Sequence, residues 1–372
     1  MGRTGNGIDF PMETVYNYLQ GTGEYQMQHL ITKRKDLLDE KGRLTEAGYS
    51  TREVFEYERS MIKASGIRIK EWDYYYIGNE HFGAALTIAD NSYMGMISAS
   101  VMDFDKGKDH TMSKIVPFTF GKFALPPSAD AGETSYQSKR VEMSFRADEK
   151  QRHIRCHYHD FIEKLPLIID VKLTDFPQDR MCIATPFPHD KKAFYYNQKI
   201  NLMHAEGYVQ MGDVAYDLGS SPLDMGLLDW GRGVWTYKNT WYWSSLNTVL
   251  ADGRKFGFNL GYGFGNTSAA TENMMFVDGV ADKLEDVHFF IPKDDQGEYD
   301  YLSQWAVRSA DGRLDLIFRP ILNRKSDTNL GLLRSDQNQV FGKFYGTAIL
   351  KSGEKVAIDG AVGFAERVFN KW

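Results

Sequence analysis

DWGRGVWTYKNTWYWSSLNTVLADGRKFGFNLGYGFGNTSAATENMMFVDG, residues 229–279, is the stretch from which the fold can be read. Its clearest element runs from Lys255 to Tyr262. Phe256, Phe258, Leu260 and Tyr262 fall on one face, and Lys255, Gly257, Asn259 and Gly261 on the other. That is the period of two expected of a strand with one buried face. The glycines on the second face leave room for a ligand or for close approach of another backbone. Asp-Gly occurs at 252–253 and 278–279, and again at 311–312 and 359–360. Both residues tolerate positive φ, so Asp-Gly between strand-like runs signals a hairpin. Arg313 to Phe318 alternates as well, with Leu314, Leu316 and Phe318 facing inward.

No helical pattern of ten or more residues is sustained after residue 66. Antiparallel strands joined by short turns form sandwiches or barrels. The remaining chain, roughly three hundred residues, is too long for one small barrel. The expected architecture is therefore mainly β, with two tandem antiparallel barrels over 66–236 and 237–372. A short helical segment is expected over 1–65. Ser50-Thr51-Arg52-Glu53 has the form of a capping box, and Val54, Tyr57, Met61 and Ile62 then recur at helical spacing, which predicts a helix over 51–64. A shorter helix is expected from Met12 to Leu19, after Asp9 and Pro11.

Composition narrows the function. The 372 residues are 42% apolar and 25% charged, the values of a globular domain. The aromatic share of 14%, with 21 Tyr and 23 Phe, favours strands and lined pockets. A net charge of −6 gives no support to a nucleic-acid partner. Cys156 and Cys182, the only cysteines, read as buried small apolar residues rather than a disulfide framework. No apolar run is long enough to form a transmembrane segment and no leader is evident, so a cytoplasmic location is expected.

Four of the seven Trp lie within fourteen residues: Trp230, Trp235, Trp241 and Trp243. Trp241 and Trp243 share one strand face, as do Trp235 and Tyr237. Such a cluster either packs a barrel core or lines a cavity for a mostly apolar small molecule, and aromatic faces also stabilise a cation formed during reaction. Asp229 and Glu272 are the candidate catalytic carboxylates. The apolar neighbours Leu228 and Trp230 would favour the protonated, donating form of Asp229, unless it pairs with Arg232 or another arginine. Glu272, beside Met274, Met275 and Phe276, is read as a general acid or base partner, or as a loop anchor. Trp230, Arg232, Trp235, Tyr237, Trp241, Trp243, Asn259 and His204 form the candidate substrate-binding set. His157-Tyr158-His159 has metal-ligand spacing on a strand, with His153 and Asp160 near it. No third ligand is placed, however, and Arg152 and Arg155 surround the pair, so no metal is assigned. Gly-x-Ser-x-Gly, a Walker A loop and a dinucleotide fingerprint are all missing, and no cofactor is assigned.

Several motifs resemble the bacterial family DUF2804: Arg68-Ile69-Lys70-Glu71-Trp72-Asp73-Tyr74-Tyr75, Asp229-Trp230-Gly231-Arg232-Gly233-Val234-Trp235, Trp241-Tyr242-Trp243, Gly257-Phe258-Asn259-Leu260-Gly261, Thr271-Glu272-Asn273, and the ending Gly363-Phe364-Ala365-Glu366 with Trp372. More distantly the chain is similar to the carotenoid 1,2-hydratase and AttH group of tandem lipocalin-like proteins. The resemblance implies a pair of lipocalin-like barrels. It also implies hydratase, cyclase or pericyclic chemistry on apolar substrates without a redox cofactor. Asp229, Trp230-Gly231 and the Trp241-x-Trp243 pair match that wider group, although here the Trp follows Asp229 directly.

The functional expectation is a cofactor-independent enzyme that hydrates, cyclises or isomerises an apolar unsaturated small molecule. Asp229 would be its acid, Glu272 a partner, and Trp235, Trp241 and Trp243 a shield for the cation. The alternatives are a lipocalin-like carrier for a hydrophobic ligand, and a carbohydrate-active enzyme using paired carboxylates with aromatic platforms. Fold alone does not choose among them.

Overall fold

The structure, a computed structural model, describes residues 27–329, 331 and 333–371; the helix expected from Met12 to Leu19 lies outside them. Two curled antiparallel sheets carry most of the described chain. The thirteen-stranded first sheet runs from an edge at Lys108–Pro117 through Met94–Asp103, Phe82–Asp90 and Ile69–Gly78 to Met225–Val234. It continues through Asp190–Met211, Leu165–Thr174, Arg152–Ile162 and Val141–Ala147 to Gly132–Gln137. The sheet curls on itself: Thr134 on that last strand donates its hydroxyl proton to Asp73 Oδ2 on Ile69–Gly78. The nine-stranded second sheet begins at Lys238 and ends at Lys371, with Lys238–Val249 paired to both Lys255–Tyr262 and Lys355–Lys371. It curls likewise, since the amide of Phe289 donates to the Tyr262 hydroxyl at 3.2 Å.

Strand alternation sorts side chains into a barrel interior and a layer between the barrels. On Ile69–Gly78, Tyr75 and Ile77 enter the first barrel core, while Tyr74 and Tyr76 pack against Trp243, Phe341 and Phe364 of the second sheet. Phe256, Phe258 and Leu260 are buried in the second barrel with Leu314, Leu316 and Phe318, as their alternation predicts. The opposite face of Lys255–Tyr262 meets the first barrel. A Cβ on Gly257 would lie 3.0 Å from Leu202 Cδ2, so the glycine there serves close approach.

Asp278-Gly279 makes the two-residue hairpin between Met274–Val277 and Val280–Lys283, with φ of 48° and 77°. Asp252-Gly253 and Asp311-Gly312 also turn between paired strands. Asp359-Gly360 does not. It lies inside Lys355–Lys371, where Gly360 at φ 74° takes up a register slip opposite Phe344 and Tyr345, a bulge rather than a hairpin.

The helix expected over 51–64 does not form. Phe55–Glu56 is a short strand parallel to Lys35–Asp36, and Arg59–Met61 is a single 3-10 turn. Ser50 pairs with Cys182 in the first sheet, and Glu53 turns to Gln198 Nε2 and the amide of Ala129 instead of capping. Val54, Phe55 and Tyr57 are all buried against the first barrel. The sheet pairing of Ser50 and the distant side-chain and backbone partners of Glu53 outweigh the local capping signal.

Candidate functional site

A cavity of about 250 Å³ lies between the barrels and takes its walls from both sheets. The first barrel contributes Trp72 and Tyr74, Tyr195 and Lys199 from Asp190–Met211, and Asp229 from Met225–Val234. The second contributes Trp241 and Trp243 from Lys238–Val249 and Glu366 from Lys355–Lys371. Trp235, Phe264 and Glu272 complete it from connecting segments.

The aromatic part is an edge-to-face cage. Trp235 stands against Trp72 at 5.4 Å, Trp241 at 5.7 Å and Phe264 at 4.8 Å between ring centroids. Its Nε1 proton has no hydrogen-bond partner among the described residues. Gly231 makes the cage possible, because a Cβ there would lie 2.0 Å from Trp72 Cζ2. Gly231→Ala should therefore displace the Trp72 indole and cost about 2 kcal/mol. An unchanged urea midpoint would show that Trp72 swings aside freely.

The polar part is built on three carboxylates and a lysine. Asp229 Oδ1 accepts from Asn197 Nδ2 at 2.7 Å and from Lys199 Nζ at 2.9 Å. Lys199 also sits over the Trp243 ring, 3.7 Å from its centroid. Asp229 and Lys199 are direct cross-strand neighbours, which places the pair by register alone. Glu366 Oε1 accepts from Trp241 Nε1 at 3.1 Å and its Oε2 from Gln339 Nε2 at 3.0 Å. Burial raises the Glu366 pKa to about 7, against the lowering influence of Trp241, Lys199 and Arg324. Burial also raises that of Glu272, which Lys199 and Asn259 oppose. Gly261 lets Glu272 fold over the strand, since a Cβ there would meet the carboxyl carbon at 2.5 Å.

Asp229, Glu272, Trp235, Trp241 and Trp243 thus converge on one cavity. Asp229 is paired with Lys199, not with Arg232. Trp230 and Arg232 point the other way, into the first barrel, because neighbours on a strand face opposite sides. Arg232 is fully buried there, bonded to Asp73 Oδ1 at 3.0 Å, with its guanidinium carbon 4.0 Å from the Trp230 ring centroid. Asn259 lies behind the lining: its Oδ1 accepts from Trp243 Nε1 at 2.7 Å, and its Nδ2 donates to the Glu272 carbonyl at 2.8 Å. Tyr237 is largely exposed beneath the Lys371 ammonium, and His204 lies beside Glu206; neither lines the cavity. His153 pairs with Asp170, and the tilted rings of His157 and His159 touch, on a strand away from the cavity lining. Both cysteines are free and buried, and burial pushes the Cys156 thiol up to about 12.

Sequence reasoning missed Lys199, Glu366, Trp72, Tyr74 and Arg324 as lining residues. One signal was available for Glu366, a single carboxylate alternating with Phe364 and Val368 on an otherwise apolar strand face.

The family model described as a domain of unknown function, DUF2804, matches residues 28–372. The chain belongs to this family. No curated protein matches it. Among solved structures it is similar to an AttH-like protein from Nitrosomonas europaea, at 13% identity and a TM-score of 0.50, over 85% of this chain and 96% of that one. Kievitone hydratase from Nectria haematococca is similar over 91% of this chain and 99% of that one, at 11% identity and a TM-score of 0.48. CghA follows over 91% and 97%, at 10% identity and a TM-score of 0.44. The AttH likeness bears on the fold alone: this DUF2804 chain is a pair of tandem lipocalin-like barrels. No helix among the described residues is long and apolar enough to cross a membrane.

Proposed function

We propose that this DUF2804 protein is an enzyme that moves protons on an apolar unsaturated small molecule held between its barrels, without a redox cofactor. Residues 66–236 and 237–372 act in this reading as two domains whose interface is the site. The observation that carries it is Glu366. A carboxyl group brought to about 7 by burial, opening onto an aromatic cage, is half protonated at neutral pH and so able both to give and to take a proton. Protonation of a carbon–carbon double bond leaves a carbocation, which the faces of Trp72, Trp235 and Trp241 stabilise. Capture by water completes a hydration, attack by a second double bond a cyclisation, and loss of a different proton an isomerisation. Glu272, also driven toward its neutral form by burial, is the second proton-carrying group, and Asp229 with Lys199 supplies a fixed dipole across the floor.

A carrier without chemistry is the second reading, and one observation favours it: Asp229 is tied to both Lys199 and Asn197, an arrangement that suits positioning better than proton transfer. The test is native mass spectrometry of the purified protein with extracts rich in unsaturated apolar compounds, followed by product analysis. Asp229→Asn and Glu272→Gln should each reduce turnover by at least about tenfold. Ligand capture with no product from the unmodified protein would decide for the carrier.

A further inference from the structure

The cavity is uneven in its chemistry. Next to the indole cage its lining carries Arg324, Tyr74 and Gln339. Each has a buried polar atom without a hydrogen-bond partner among the described residues: Arg324 Nε, Tyr74 Oη and Gln339 Oε1. Buried polar groups are almost always paired. Tyr74 and Gln339 lie close enough to act on one another, which leaves Arg324 Nε as the donor with most need of a partner from outside the chain. Arg324 is held by a single hydrogen bond, from Nη1 to Ser100 Oγ at 2.8 Å, and enters no ion pair among the described residues. Leu322, two residues earlier on the same strand, is buried in the inter-barrel layer, whereas Lys325, which also lines the cavity, is exposed. Arg324 therefore stands where the strand leaves the interior.

The ion pairing in the lining is incomplete. Lys199 and Asp229 offset one another. Arg324 has no such partner: the Glu366 oxygens accept from Trp241 and Gln339, and no carboxylate of the lining pairs with Arg324 among the described residues. An oxyanion would complete the pairing of Arg324. A guanidinium N–H and a phenol O–H converging on one region are the donors that a carboxylate accepts from.

We propose that the substrate is an amphiphilic acid, with an unsaturated body among the rings of Trp72, Trp235, Trp241 and Phe264 and an ionised carboxylate bonded by Arg324 and Tyr74. This rests on the cavity being the site described above, and it names the class of molecule that site takes. It has a consequence for the chemistry. Arg324 is one of the groups that lower the Glu366 pKa. A carboxylate seated on Arg324 cancels that influence, so binding itself keeps Glu366 protonated until the double bond is in place.

The experiment compares geranic acid, a short branched polyunsaturated acid, with its methyl ester at neutral pH, reading binding from tryptophan fluorescence. The unmodified protein should bind the acid at least about tenfold more tightly than the ester, as charge-assisted hydrogen bonds require. In Arg324→Gln that preference should vanish while ester affinity stays. Tyr74→Phe, which removes the second donor and leaves the Arg324 contact to Ser100 in place, should reduce the preference severalfold and is decisive if Arg324→Gln does not fold. Equal binding of acid and ester, with both weakened by Trp235→Ala, overturns the carboxylate assignment and leaves the aromatic site standing. Absence of binding by either compound overturns both.

Discussion

Glu366→Gln is expected to lower turnover by about 10²- to 10⁴-fold, the range that general acid catalysis contributes, while making the folded protein more stable at alkaline pH. The two effects have one cause. Glu366 is buried, and its folded pKa of about 7 lies above the 4.5 of an unperturbed glutamate. A carboxyl whose folded pKa is raised contributes stability that is complete below the unfolded value and is lost as pH rises through the folded one. The unmodified protein should therefore lose roughly 3 kcal/mol between about pH 4 and about pH 8 from this group alone. Gln keeps the volume and does not ionise, so that slope disappears. Its amide is accommodated, because the Gln339 side chain can turn to present Oε1, which has no hydrogen-bond partner among the described residues. Urea unfolding across this pH range reads the effect without any substrate. Parallel pH profiles for the two proteins would mean that Glu366 ionises freely and is not the acid.

Trp230→Ala should destabilise the protein by about 3–5 kcal/mol and leave ligand affinity in the cavity unchanged. Trp230 is 2% exposed and stands edge-on to Tyr57 at 6.3 Å and Tyr196 at 5.3 Å. Removing the indole opens a void in the first barrel and strips Arg232 of the ring beneath its guanidinium. Arg232 would remain bonded to Asp73 and to the carbonyls of Trp72 and Pro126, so the barrel wall keeps its course and the cavity keeps its shape. Trp235→Ala should show the reverse balance, with weak binding and a smaller loss of stability. If Trp230→Ala abolished binding while the fold remained intact, the division of the tryptophans between barrel interior and cavity would be wrong.

That division explains much of what could be read in advance. Strand periodicity marked Lys255–Tyr262 and Leu314–Phe318 correctly, because each has one face in a single core. The Asp-Gly pairs marked three hairpins and misled at 359–360, where the same backbone freedom serves a bulge. The capping box at 50–53 misled for a different reason: Ser50 and Glu53 found sheet and side-chain partners far along the chain. Grouping Asp229 with Trp230 and Arg232 reflected closeness in the chain, which on a strand sends neighbours to opposite sides. Asp229 and Glu272 were recognisable as buried acids from their apolar company. Lys199 was not, because it meets Asp229 only through strand pairing.

Side-chain alternation and turn residues are local properties, and they were enough to specify antiparallel strands, two barrels in series and an aromatic-rich segment around residue 240. Assembly of the cavity was beyond their reach. Ile69–Gly78 and Met225–Val234 are buried on both faces, so their composition does not distinguish the face that fills a barrel from the face that meets its neighbour. Only docking of the second barrel onto the first encloses Asp229, Glu272 and Glu366 together. The desolvation that turns an ordinary glutamate into a group titrating near neutrality arises from that enclosure and from nothing in the residues beside it.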